Sequence, residues 1–508
     1  MAYTKKDGKS NKSIVDETLD LFDKYSAKRD TWAVQAKEDK EFRLGKQWSA
    51  EQREVLEGRG QAPIVINRIH PAVETAKAML TSNRPSFRVA PREDSDNKIA
   101  QVISALLSYM YDISSGRDVI RQVVDDYYVM GVGYIQVYQD PMKDNGKGEV
   151  CFHDIDPLDV YVDPNSRHKF FDDAENIIVS KLFTKEQAKK MYPMYNNAID
   201  NASDNSGSRF DFNAPATVRE DDGETHFPED VGRLDNQNYI RGYERYSMVD
   251  VKEIRTFEKF SGAEEVFSED DFENYLQRPA WIINGQILTD GEKAQQLYQQ
   301  LLEQREMMKQ QHALQMMEQG YTDEAQVPDV EINFQEINFG MLIEEGQIDI
   351  VRITNKKVKQ CVIVGDKLLY TRILPIHKYP IVPIMNIHTR TPYPMSDVRM
   401  VKGLQEYINK TRSLIIAHAT TSTNTKILVP EGSVDMRDFE EKWAQPGVAI
   451  PYDPTDGAPM PVQPTPLPNE LFQNETSAKA DIDHVLGLYE MMMGNSQAAP
   501  QTYKATIS

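Results

Sequence analysis

Apolar residues in this chain recur mainly three and four positions apart, with short alternating stretches between, which predicts long helices and small β-sheets in an α+β fold. The first helical run extends from Ser13 to about Leu44 through Ile14, Leu21, Phe22, Tyr25, Trp32 and Phe42, and Gly45 ends it. Ser13 and Asp16 have capping-box spacing. A turn at Glu57–Gly60 leads to Ala62–Asn67, which reads as a short buried strand, then to a helix over His70–Thr81 and a strand at Phe87–Val89. The clearest helical period is Ile99, Val102, Ile103, Leu106, Leu107, Met110 and Ile113, closed by Gly116. Asp118–Met130 repeats it with Val119, Val123 and Tyr127. At Gly131-Val-Gly133 the period falls to two, and Tyr134–Gln139 and Glu149–His153 are expected as strands around a turn at Asp144.

Residues 200–236, rich in Asn, Asp, Gly and Ser, read as a flexible exposed insertion. Strand patterns return at Tyr239–Tyr246 and Val249–Phe257. Asp290–Gln319 carries nine glutamines among leucines and methionines and predicts a helix roughly 45 Å long, with Gly320 as its stop. Further strands are expected around the repeated Glu331–Phe334 and Glu336–Phe339, and at Ile348–Ile353 and Val358–Val364. In Tyr379–Ser413, Pro380 and Pro383 confine Ile381-Val382 to an edge strand. After the rigid turn Thr391–Pro394, Ser396 or Asp397 caps a helix with a stripe of Val398, Val401, Leu404, Ile408, Thr411 and Ile415. Arg399, Lys402, Gln405, Asn409, Lys410 and Arg412 fall on or beside its polar face. Lys426–Pro430 reads as a strand, Pro446–Pro468 as a proline-rich crossing and Glu470–Met493 as a last helix.

Composition narrows the functions. With 508 residues, 40 % hydrophobic, the chain can bury a large core. Its 58 basic against 79 acidic residues leave −21, which opposes a protein that grips nucleic acid over its whole surface. Cys151 and Cys361 offer neither a disulfide framework nor a zinc spacing, and a reducing setting is expected. No apolar run is long enough for a membrane span, and the first residues are polar, a disordered basic tail rather than a secretory signal.

The search for chemistry leaves no catalytic, cofactor or metal site. Gly131-Val-Gly133 lies between helix and strand, the reverse of a phosphate-cradling loop, and there is no GxxxxGK[ST]. The acid pairs Asp125-Asp126, Asp172-Asp173 and Asp270-Asp271 read as solvated faces, and Asp154 and Asp156 beside Pro157 as turn chemistry. Asp329 and Glu331 lack the lysine a nuclease would need, and G-x-S-x-G is absent. The best local basic patch is Lys402, Lys410, Arg412 and Lys426, either a solvated face or candidates for DNA contact in a channel.

The order of small motifs is more informative. Phe42–Trp48 (FRLGKQW), Pro63–Asn67, Asn83-Arg-Pro85, Gly131-Val-Gly133, Asp156-Pro157, Asp163-Pro164, the Pro380/Pro383 arm and Lys402/Gln405/Asn409/Lys410/Ser413 run collinearly, followed by Leu428–Pro430 and Ile482–Gly494. This series resembles the portal proteins of short-tailed double-stranded DNA bacteriophages. Gln501–Ile507 departs from that pattern by lacking its glycine. The resemblance implies a non-enzymatic α+β ring subunit with long helices, small mixed β-sheets, and wing, stem, clip and start of crown. Its expected regions are a tail at 1–12, wing at 13–262, stem and clip at 263–369, returning wing and channel-proximal helix at 370–468, and a C-terminal helix at 469–508 leading to a crown, missing or truncated here. It further implies a dodecameric homo-oligomer at one capsid vertex of the virion, assembled in the host cytoplasm. Double-stranded DNA would pass through it during packaging and ejection. Terminase large subunit, a tail adaptor or head-completion protein, major capsid protein and possible scaffolding protein would be its partners, with no cofactor and no membrane. A non-portal virion scaffold, or a packaging enzyme such as a terminase or nuclease, is the alternative.

Overall fold

A computed structural model describes residues 11–91, 96–141, 143–203, 239–318, 332–423, 426–443, 445–455, 457–462 and 467–487. Residues 1–10 of the expected tail (1–12), almost all of the insertion at 200–236, the first EINF segment's Glu331 and the end of the chain lie outside them, while residues 11 and 12 already belong to the first helix. In order the elements are α1 (Asn11–Arg43), α2 (Ala50–Gly58), α3 (Ile69–Leu80), α4 (Asn97–Ile113), α5 (Gly116–Met130), β1 (Val132–Asp140), β2 (Glu149–Ile155), β3 (Val160–Val162), β4 (Asn176–Thr184), α6 (Lys185–Met191), α7 (Asn196–Asp200) and β5 (Tyr239–Glu258). Then come β6 (Glu264–Ser268), α8 (Glu269–Leu276), β7 (Pro279–Ile283), β8 (Gln286–Leu288), α9 (Gly291–Glu318), β9 (Phe334–Asn338), α10 (Phe339–Glu344) and β10 (Ile348–Val364). The chain continues through β11 (Lys367–Leu374), β12 (Ile381–Met385), α11 (Asp397–Thr423), β13 (Ile427–Leu428), α12 (Met436–Trp443), β14 (Met460–Pro461) and α13 (Glu470–Val485).

The chain divides into two compact units: Met248–Lys359 with Ile373–Lys378 forms the smaller, and the described remainder forms the larger. In the larger unit, β12, β1 and β2 make a three-stranded antiparallel sheet with β12 at the edge, as its prolines require. Pro383 stands opposite Tyr134 in a non-hydrogen-bonded pair, so its missing N–H costs no bond to β1; the Pro380 carbonyl accepts from Val137 N at 2.8 Å but proline cannot return that bond, and the ladder ends there. β3, β4 and the first half of β5 pair antiparallel. Val15, Phe22 and Tyr25 of α1 pack onto Tyr161, Ile178 and Tyr243, while Ile240, Val362, Val364 and Leu369 close a second cluster with Phe183 and Ile199. In the smaller unit the second half of β5 pairs with β6, and β7 pairs with β8 and β9. Its core centres on Tyr275, stacked on Phe339 at 4.9 Å, with Ala280, Leu342 and Ile348.

Several expectations need correction. Ala62–Asn67 belongs to no sheet: Ile64 N turns back to the Ala62 carbonyl at 2.9 Å and the residues are half-buried at most, and Phe87–Val89 has no strand partner either. The strand patterns on either side of Met248 are one 20-residue strand. α2 was unforeseen; its Ser49 and Gln52 form a capping box that overrides a weak apolar pattern. The pair Asp125-Asp126 is no solvated face: Asp125 is held by Arg43 and Lys77, and Asp126 is buried beside Gln122. A carboxylate can sit there because α1, α3 and α5 converge with cations attached.

The glycines at the helix-to-strand switch serve packing. Gly131 is left-handed (φ 84°), and a β-carbon on it would fall 2.7 Å from the Met395 carbonyl oxygen; one on Gly133 would fall 2.4 Å from the Val123 carbonyl oxygen. Only hydrogen fits where α5 turns into β1 beneath the Thr391–Pro394 turn. Gly131→Ala combines left-handed strain with a backbone clash and should cost roughly 2–4 kcal/mol. Chemical denaturation should show a lower midpoint with an unchanged slope.

Candidate functional site

The region that gathers the sequence motifs is α11 with the extended segment before α3. Ser396 caps α11 by accepting from Arg399 N at 3.0 Å, and the predicted apolar stripe is buried at Val398, Val401, Ile408, Thr411 and Ile415. Gln405 and Asn409 do not lie on a polar face: both are 0 % exposed. With Ser413 they form a row spaced four residues apart that binds the backbone of 64–68. Gln405 Oε1 accepts from Arg68 N (3.0 Å), Asn409 Oδ1 from Ile66 N (3.0 Å) and Ser413 Oγ from Ile64 N (3.3 Å). Gln405 Nε2 also donates to the Ile66 carbonyl (2.7 Å), and Asn409 Nδ2 to Gln47 Oε1 (2.7 Å). Gln47 in turn donates to the Phe42 carbonyl, Trp48 Nε1 to the Ile64 carbonyl and Asn67 to the Arg43 carbonyl. Hydrogen bonds that a strand would exchange with a sheet go here to one helix's side chains.

Charges fasten this frame to its neighbours. Asp39 of α1 is buried, which pushes its carboxyl up despite bonds from Ser396 and Arg399. Arg43 and Lys77 converge on Glu74 and Asp125. Burial alone would raise Asp125, but the bonds from Arg43 and Lys77 outweigh it and hold the carboxyl below its ordinary range. Glu475 of α13, almost fully buried, pairs with Arg412 and Lys479, each at 2.6 Å.

The four basic candidates therefore have different fates. Lys402 lies 3.1 Å from Glu38, over the Phe42 ring, and Arg412 is spent on Glu475. Lys410 and Lys426 are exposed. Positions 402, 410 and 412 point in different directions around α11, so the structure does not gather the four into one patch. Asp156 caps a turn by accepting from Leu158 N, and Asp173 accepts from Ser166, Arg167 and His168. Among the described residues no group of three or more His, Cys, Asp or Glu could hold a metal ion, and no helix is long and apolar enough to cross a membrane.

The family model for the phage P22-like portal protein matches residues 19–502. The chain belongs to the P22-like portal protein family. The long helices and small antiparallel sheets are those of a portal-type α+β fold. No curated protein matched the chain. The motifs that carry the portal resemblance meet in space: Gln47 and Trp48, the segment 63–67, and Gln405, Asn409 and Ser413 form one bonded frame.

Two tests follow from this frame. Asn409→Ala strands the Ile66 N–H in a buried site and should cost about 2–4 kcal/mol, whereas Lys402→Ala, at a half-exposed ion pair, should cost less than about 1 kcal/mol. Equilibrium unfolding of both variants checks that order. Because Asp125 is depressed in the folded protein, its contribution is present above its unfolded value, about 3.9, and disappears as pH falls through the folded one. Asp125→Asn should accordingly flatten the loss of stability as pH falls below about 4, measured by denaturation midpoints at successive pH values.

Proposed function

We propose that this portal-family chain is a structural conduit without catalysis: a ring at a single capsid vertex through which the genome is packaged and ejected, and on which terminase and tail adaptor dock. Major capsid protein surrounds it in the virion, and a scaffolding protein is a further partner during assembly. On this reading the wing lies mainly in the larger unit and the stem and clip mainly in the smaller, whose bounds, 248–359 and 373–378, coincide only in part with the expected 263–369. Contact with passing DNA draws support from exposure at Lys426, not at Lys402 and Arg412, whose charges are already paired.

One observation carries the reading beyond family membership. α4, the most regular amphipathic helix in the sequence, buries only Ala100 and Tyr111 in its own subunit. Ile99, Val102, Leu106 and Tyr109 are 60, 67, 52 and 51 % exposed. A contiguous apolar stripe of this kind marks a protein interface, and a ring supplies one at every subunit.

Negative-stain electron microscopy of the purified chain should show rings with an axial hole near the ~20 Å width of a duplex. Closed dimers or filaments without a hole would sink the reading. Leu106→Asp should convert rings to monomers while leaving the thermal midpoint nearly unchanged, because the residue contributes little to the subunit's own core.

A further inference from the structure

A closed ring of identical subunits needs two different, complementary faces on each copy, because head-to-tail contacts are heterologous. α4 supplies one. Its exposed positions Ile99, Val102, Leu106 and Tyr109, continued by half-buried Ile113, follow the alternating three-and-four spacing of a helix–helix seam. The larger unit carries a second uncovered seam, on the side of α11 turned away from Gln405 and Asn409. Met400, Tyr407 and Leu414 are exposed at intervals of seven, with Gly403, Lys410 and Ala417 three residues after each. The α4 seam is about 21 Å long and that of α11 about 26 Å.

The decisive residue is Gly403. A glycine inside a helix weakens it by roughly 1 kcal/mol relative to alanine. Elsewhere the chain's close-packed glycines answer to a neighbour, as Gly131 and Gly133 do. A β-carbon on Gly403 would meet nothing within 4 Å among the described residues, and its backbone is not left-handed, so the subunit itself gives no reason for it. Small positions at 403 and 417 between large ones make hollows; the α4 seam is made of large side chains throughout.

We infer that the α4 seam of one copy packs on the Met400–Ala417 seam of the next, with a large α4 side chain seated over Gly403. This rests on the ring reading above and names its contact. Lys410 then acts as a polar residue within an apolar seam, which fixes register. Glu149, which accepts from Tyr109 at 2.7 Å, is the carboxylate beside the opposing seam; Asp112 at the end of α4 is already paired with Arg84. Lys410 is thereby withdrawn from the DNA contacts.

The pairing can be separated from mere folding. Gly403→Leu should raise or preserve the thermal midpoint of the subunit while abolishing rings, since it improves the helix and fills the hollow. Two variants with one added cysteine each, Val102→Cys and Tyr407→Cys, would be assembled together and treated with a short bismaleimide; native Cys151 and Cys361 are buried. Crosslinked dimers should appear in the mixture and not with either variant alone. Dimers from Val102→Cys alone would mean that α4 pairs with itself and would overturn the inference. Intact rings of Gly403→Leu, or wild-type rings with no crosslink in the mixture, would overturn the pairing while leaving the ring standing. Wild-type protein that forms no rings, with no crosslink, would overturn both.

Discussion

The larger unit depends on a match between two repeats. Along a helix, four residues advance about 6 Å, and along an extended chain two residues advance about 6.6 Å. Gln405, Asn409 and Ser413 can therefore meet the N–H groups of Arg68, Ile66 and Ile64 in antiparallel order, and do so at 3.0, 3.0 and 3.3 Å. The extended segment needs no neighbouring strand, and the helix becomes a template that fixes its register. From it hang the start of α3, where Asn67 Oδ1 accepts from His70 N, and the end of α1, through the bonds of Gln47 and Asn67 to the Phe42 and Arg43 carbonyls. Shifting the segment by one residue would present carbonyls and side chains where the template expects donors.

Neutral amides, rather than charges, decide the stability of this frame. The ion pairs of Lys402 with Glu38 and Arg68 with Asp483 are partly exposed, and pairs of that kind contribute little. Gln405 and Asn409 are fully buried, so losing either leaves backbone donors with no water to accept them. Charges matter where they too are buried. Glu475 is enclosed with Arg412 and Lys479, and Asp39 with Ser396 and Arg399; each ties α11 to a partner, α13 in one case and α1 in the other.

That division explains what the sequence could reveal. Helices such as α1, α4, α5 and α11, and the edge position of β12, were legible because apolar period and proline chemistry act locally. The polar row was not. A periodicity argument assigns Gln405 and Asn409 to water, and nothing local tells it that a partner 340 residues away supplies their hydrogen bonds. Ala62–Asn67 misled for the complementary reason: its β-branched apolar residues fit an extended chain, but extended geometry does not require a sheet. The portal resemblance identified these letters in order while their physical purpose stayed hidden until the two segments met. For α4 the pattern gave the helix correctly and could not say whose core its stripe completes. The candidate basic residues are not gathered within one subunit, since 402, 410 and 412 are dispersed around α11 and Lys426 lies beyond its end.

The electrostatics of the chain follow from the same packing. Arg43, Lys77, Arg399, Lys402, Arg412 and Lys479 are consumed inside the subunit, each facing a carboxylate. The excess of acid over base, 79 against 58, therefore falls on what remains outside these pairs. Each phosphate neutralised by a free cation would add a release of counterions and steepen the salt dependence of binding by nearly one unit of log slope. A conduit gains from keeping that number small, because a duplex held at many phosphates would be slow to move. On the ring reading, the six cations that lock helices within each subunit are withdrawn from contact with DNA, so at these positions the demand for a rigid frame and the demand for an unobstructed channel are met by the same residues.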